Sequence, residues 1–152
     1  MYCTLTEAAT YFLVRLNTEV WDTATSIEKT KALTMATRAI DMLNFQGERT
    51  DSTLPSQFPR GGDTIVPQEI KDATCEIALA LLNDKDPEDL ADNQRILSER
   101  YATVGVTYGG RDSEAVENGI PSITAWRLLK PFLRDPRALH IVRGVTEDEL
   151  ST

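Results

Sequence analysis

Apolar positions along this chain recur at helical spacing in four places. Leu5, Ala9, Phe12 and Leu16 form a stripe over residues 5–16, opened by Thr4 with Glu7 three residues on and closed by Asn17 and Thr18. Thr-x-x-Glu is the reciprocal pair of a capping box. Trp21 is expected to pack back over this stripe, since an exposed indole is costly. The pattern returns more strongly over 26–45, where Thr25 and Glu28 repeat the capping box. Leu33, Ala36, Ile40 and Leu43 make one stripe there, and Ala32, Met35, Ala39 and Met42 a neighbouring one. Two stripes with small alanines predict a helix touching elements on two sides. A third helix starts at Pro67, where a missing amide hydrogen costs nothing. Ile70, Ala73, Ile77 and Leu81 face one way, while Cys75, Ala78, Leu79 and Leu82 widen the face. IALALL at 77–82 has almost no polar side, which places it at the centre of the core. A last helix is capped by Ser122 and carries Ile123, Trp126, Leu129 and Leu133. Pro131 interrupts its end, and Pro136 finishes it.

Elsewhere the helical period fails. QGERTDSTLPSQFPRGGDTIV, residues 46–66, has Gly47 to close the preceding helix, then Pro55, Pro59 and Gly61-Gly62. About 20 residues without regular structure are unusual inside a compact domain unless they serve a function or are disordered. Phe58 and Leu54 are the anchors expected before Ile65 and Val66. Residues 83–92 read as an acidic solvated turn that permits a short helix through Leu90. Residues 93–101 fit neither period. Val104, Val106 and Tyr108 alternate, which suggests a β hairpin or an extended arm. RDSEAVENGIP, 111–121, reads as loop. The tail carries Leu139, Ile141, Val142 and Val145 among polar residues. It reads as an arm that gains order on a partner, with fraying and local packing as alternatives. The expected fold is mainly α: a small bundle of about four helices with a long loop, a short β hairpin or extended arm, and a C-terminal arm. Residues 1–135 would form one domain, including loop 46–66 and the strand-containing extension 99–120. Residues 136–152 would form the arm.

Composition adds limits. The chain has 152 residues, long enough for a sizeable core without metal or disulfide staples. Its net charge of −8 argues against a whole-surface electrostatic grip on nucleic acid, though not against a local basic patch. Cys3 and Cys75 suggest two free thiols in a reducing compartment, with a disulfide between them as the alternative. The start MYCTLTEA lacks the features of a signal peptide, and no stretch reaches 18 apolar residues, so no membrane span is expected.

Catalytic chemistry finds little support. His140 is the single histidine, and Cys-x-x-Cys is absent, so neither a histidine-based metal cluster nor a zinc site is expected. Asp84, Asp86, Glu88 and Asp89 begin like a calcium loop but lack its central glycine and closing glutamate. Glu69 and Asp72 suit a helix N-terminus without acid–base work. RGGD at 60–63 and YGGR at 108–111 lack the lysine-containing remainder of a nucleotide-binding loop. No enzyme activity and no cofactor are expected. Arg38, Arg49 and Arg60 can either hold the long loop to Glu48, Asp51 or Glu76, or meet a partner. Tyr101, Tyr108 and Trp126 can stack bases in principle, with Arg95, Arg100 and Arg111 as the nearest cations. Trp126 sits on a helix stripe, which favours the core.

The order of motifs resembles a tailed-phage family of small proteins encoded beside the portal and head genes. TEAATYFLVR, KTKALTMATRAIDMLNFQGER, LPSQFPR, VPQEIKDATCEIALALL, ERYATVGVTYGG and SITAWRLLKPFL carry the resemblance, over roughly residues 2–135. Some members are labelled DnaT-like single-stranded-DNA-binding proteins, similar to a primosome component. Related helical proteins are head–tail connector adaptors. The resemblance implies a ring of about twelve copies in the virion neck, made in the host cytoplasm. Its implied partners are the portal protein, neighbouring copies, a stopper, nozzle or tail protein below, and double-stranded DNA passing without specific binding. No membrane partner is implied. The candidate contacts are Arg49, Phe58 and Arg60 in the loop, Val104, Val106 and Tyr108 in the extension, and Leu139, Ile141 and Val142 in the arm. The alternative function is single-stranded-DNA binding, which requires a basic, aromatic groove.

Overall fold

The structure, a computed structural model, describes residues 1–90, 98–101, 104–107 and 114–134. Six α-helices are bounded within them: α1 (Leu5–Phe12), α2 (Glu19–Thr23), α3 (Ser26–Asp41), α4 (Gln68–Leu82), α5 (Glu114–Glu117) and α6 (Ile123–Leu129). A further helical turn occupies residues 87–90, and a 3-10 turn, Lys130–Phe132, follows α6.

Helix α4 is the centre. Residues 73–80 are all buried, and α3, α6, α1 and α2 pack against it. Pro67 stands at its N-cap, and of the segment read as most apolar, 77–82, residues 77–80 are buried. Leu33, Ala36 and Ile40 of α3, which packs on α4, are buried, as is Leu43 just past its end. Both expected capping boxes are formed, Thr4 with Glu7 and Thr25 with Glu28. Trp21 is 4% exposed, with its ring centroid 4.4 Å from that of Phe12.

The expected fold class needs correction. The described residues hold seven helical segments, not about four. No strand or hairpin takes part in this body, whose only β-type pairings are the isolated bridges Phe45–Leu133 and Arg49–Arg60. Two short strands, β1 (Ser98–Tyr101) and β2 (Val104–Thr107), pair only with each other, antiparallel, with Tyr101 opposite Val104 and Ser98 opposite Thr107.

Helix boundaries also differ. The first helix ends at Phe12, not near residue 16, and Leu13, Val14 and Leu16 stand exposed. The chain unwinds there to bring Trp21 over Phe12, with Asn17 in the left-handed region at φ 59°. The second long helix ends at Asp41, not near residue 45. The Gln46 amide instead donates to the Phe132 carbonyl at 2.9 Å, so a tertiary partner takes over from helix propensity. The second α3 stripe is not a packing face throughout, for Met35 is 53% and Met42 85% exposed. Residues 114–117, read as loop, form α5, which buries Ala115 and Val116. In α6, Ser122 accepts from the Ala125 amide and Trp126 and Leu129 are buried, but Ile123 is exposed.

Candidate functional site

The long connection is not a free loop. Residues 48–50 run alongside residues 59–61. The Thr50 amide donates to the Pro59 carbonyl at 3.0 Å, and the Gly61 amide donates to the Glu48 carbonyl at 2.9 Å. The Gly61 amide is therefore spent within the chain, which removes it from any phosphate cradle at RGGD. Gly61 and Gly62 have φ of 66° and 89°, values that favour glycine.

Arg60 organises this segment. Its Nε donates to the Gln46 carbonyl at 3.0 Å and its Nη2 to the Phe45 carbonyl at 3.1 Å. Nη2 also donates to the Gly47 carbonyl, and Nη1 reaches Gln57 Oε1 at 2.8 Å. The guanidinium lies 5.9 Å from the Phe45 ring centroid. A planar fork of five donors suits this work, because the carbonyls just past a helix end otherwise lack partners. Arg49 is exposed, and its Nη1 donates to the Leu54 carbonyl at 3.1 Å. For Arg49 and Arg60 the expected intramolecular role therefore runs through carbonyl groups, not through Glu48, Asp51 or Glu76.

Phe58 is 3% exposed. Its ring meets Phe45 at 4.7 Å and both Tyr2 and Phe132 at 5.9 Å, all edge-on. Leu54, the other expected anchor, is 44% exposed. The Tyr2 hydroxyl donates to Asp41 and accepts from the Gln57 amide at 2.8 Å. Burial and the neighbouring carboxylate push the Tyr2 hydroxyl well above the usual phenol range.

A second cluster lies across α4. Glu76 is 4% exposed and accepts from Arg15 Nε at 2.7 Å and from the Tyr11 hydroxyl at 2.8 Å. The carboxylate raises the Arg15 guanidinium further, while burial and the same carboxylate raise Tyr11. Near the chain start, Lys71 Nζ donates to Glu7 Oε1 at 2.5 Å. That bond and the Thr4 capping contacts lower the Glu7 carboxyl to about 2. Sequence reasoning missed the Arg15–Glu76 pair, since Glu76 sits on an otherwise apolar helix face with nothing local to mark its partner. Cys3 and Cys75, expected as free thiols with a disulfide as the alternative, are brought together. Both are free and buried, with sulfurs 3.3 Å apart. Their shared hydrogen bond and burial hold the Cys75 thiol well above its usual range.

Val104 and Val106 lie on β2, opposite Tyr101 and Glu99 respectively. Tyr108, Leu139, Ile141 and Val142 lie outside the described residues, as does the arm 136–152. Arg95 and Arg111 also lie outside them, and Arg100 is placed on β1 opposite Gly105. Trp126 is buried, and its Nε1 donates to Glu114 at 3.3 Å, so it offers no face for stacking. Among the described residues, no group of three His, Cys, Asp or Glu side chains is arranged to hold a metal ion. No helix there is long and apolar enough to cross a membrane.

These features define a small helical protein whose long connection is fastened to its body by one arginine and one phenylalanine. The chain belongs to the family described as "Putative DnaT-like ssDNA binding protein", which matches residues 1–144. No curated protein and no solved structure matches it.

Proposed function

We propose that this protein is a structural, non-enzymatic subunit that works by binding other protein chains: a head–tail connector of a tailed phage, in a ring between the portal and the neck or tail. The observation that supports this reading is the distribution of apolar side chains. Tyr2, Phe12, Trp21, Phe45, Phe58 and Trp126 are buried, which leaves them unable to stack on bases. Leu13, Val14 and Leu16 are 85%, 88% and 80% exposed within one turn. Isolated exposed apolar residues are ordinary, but three in four positions make a contact surface for protein. The net charge of −8 suits a channel that DNA passes without sticking. Phe58 and Arg60 are occupied within the chain, so the loop offers a neighbour its outer side, with Arg49, Leu54 and Ile65.

Single-stranded-DNA binding is the second reading. The family description favours it by name, and it supports this reading more directly than the connector. Two measurements separate them. The connector reading expects the chain in purified virions at ring stoichiometry with the portal, and negligible binding of a labelled oligothymidine at about 0.15 M salt. Absence from particles, together with tight binding that weakens steeply with salt, establishes the second reading and removes the first.

A further inference from the structure

A second apolar surface stands open besides the turn after α1. Along α3, Ile27, Met35 and Met42 are 68%, 53% and 85% exposed. At about 100° per residue these three share an arc of about 80° with Lys31 and Arg38, both exposed. Ala36 and Ile40, on the opposite side of the helix, are buried. The outer stripe of α3 thus interleaves apolar and cationic groups over about four turns. Glu28, at the edge of the arc, spends its carboxylate on the amide and hydroxyl of Thr25.

The turn carries the opposite charge. Exposed Leu13, Val14 and Leu16 are followed on α2 by Glu19 and Asp22, both exposed. Two stripes brought together would set cation against cation, and two turns would set carboxylate against carboxylate. A turn against a stripe matches apolar with apolar and carboxylate with cation. One chain does not make this contact with itself. Lys29 Nζ lies 5.4 Å from the Trp21 ring centroid, so Trp21 and the Phe12 it packs on lie on that side of α3. Arg38 is nine positions from Lys29, about 180° round the helix. The stripe therefore faces away from α2 and the turn.

We propose that the turn and α2 of one copy dock on the outer α3 stripe of a second copy, with Leu13, Val14 and Leu16 against its methionines and isoleucine, and Glu19 and Asp22 against Lys31 and Arg38. The contact is head-to-tail. Each bound copy keeps one turn or one stripe to offer, so the contact repeats and closes into a ring where its rotation allows. This inference deepens the reading of residues 13–16 as a protein contact, and it rests on that reading.

The test is sedimentation velocity of the full chain over a concentration series, with two charge-reversed variants. One carries Glu19→Lys and Asp22→Lys, the other Lys31→Glu and Arg38→Glu, and circular dichroism checks that each is folded. The parent is expected to self-associate, and each variant alone to do so at least about tenfold more weakly. Mixing the two variants restores association, because the reversed turn of one meets the reversed stripe of the other. A parent that stays monomeric up to its solubility limit, a variant that associates as well as the parent, or a mixture no better than its components overturns the proposal. Should reversal unfold α2, Leu13→Ser with Leu16→Ser removes the apolar part of the turn instead. Mixed with the stripe variant, it is expected to give a two-chain complex and nothing larger, and larger species overturn the head-to-tail contact. Presence in virions is read separately: a chain found there yet monomeric when purified keeps the connector reading and loses this contact.

Discussion

Replacing Arg15 by methionine tests what holds the carboxylate of Glu76 on α4. The substitution keeps most of the side-chain length but removes the guanidinium that donates to Glu76 at 2.7 and 3.4 Å. Glu76, 4% exposed, is left with the Tyr11 hydroxyl alone. Stranding a buried charge costs about 3–5 kcal/mol. Arg15 is 35% exposed and borders an open polar cleft that also reaches Glu76, so water replaces part of the lost interaction. A discounted loss of about 2–3 kcal/mol follows, or about 5–10 °C in Tm for a chain of this size. Arg15→Met with Glu76→Gln removes both charges while the amide oxygen still accepts from Tyr11. This double variant is expected within about 1 kcal/mol of the parent. Urea unfolding at pH 7 reads all three proteins. A single variant no less stable than the double refutes the claim that Arg15 neutralises a buried charge.

Acid should weaken the contact between the chain start and α4. Glu7 is lowered from 4.5 to about 2, so its contribution is complete above about pH 4.5 and is lost as pH falls toward 2. Lys71 is raised above 10.5 by the same bond, so its contribution is complete below 10.5 and fades at higher pH. Because Glu7 is 41% exposed, Glu7→Gln should cost only about 1 kcal/mol at pH 7 and flatten the urea midpoint between pH 4.5 and 2. Arg60→Ala should cost about 2 kcal/mol and speed amide exchange across residues 46–61, whereas unchanged exchange would show that the loop holds without its clamp. Phe58→Ala should cost about 3–5 kcal/mol by emptying the site between Tyr2, Phe45 and Phe132, measured by thermal unfolding. Cys3 and Cys75, each 1% exposed, should react with a thiol reagent only after unfolding, and rapid labelling of the native protein would contradict their burial.

What the sequence disclosed follows the range of the forces involved. Capping boxes are local, and both were legible from four residues each. The α4 core was legible because a helix covered on every side needs no polar face. The end of α1 was not, since Leu16 continues the helical stripe, whereas the chain turns after Phe12 and seats Trp21 on that ring. The end of α3 was hidden for a similar reason, because Gln46 finds its hydrogen bond in Phe132, 86 positions away. Helix α5 was misread because EAVE sits among loop-forming neighbours, and only tertiary burial of Ala115 and Val116 selects the helix. The loop anchors separated by the same logic. Phe58 finds three aromatic neighbours, while Leu54 finds none that cover it.

The exposed turn after α1 bears directly on the two functional readings. Burying a leucine or valine side chain is worth about 1.5–3 kcal/mol, so three such groups left in water forgo a sum comparable with much of a small domain's stability. The same chain covers Phe12 and Trp21 immediately beside them, so the body does not lack the means to bury apolar groups. Single-stranded DNA gains little from aliphatic side chains, since its bases stack on aromatic faces and its phosphates seek cations. Another protein surface gains that transfer energy less the cost of association. The turn at residues 13–16 therefore weighs toward a protein partner, and it does so at positions that a DNA-binding groove has no use for.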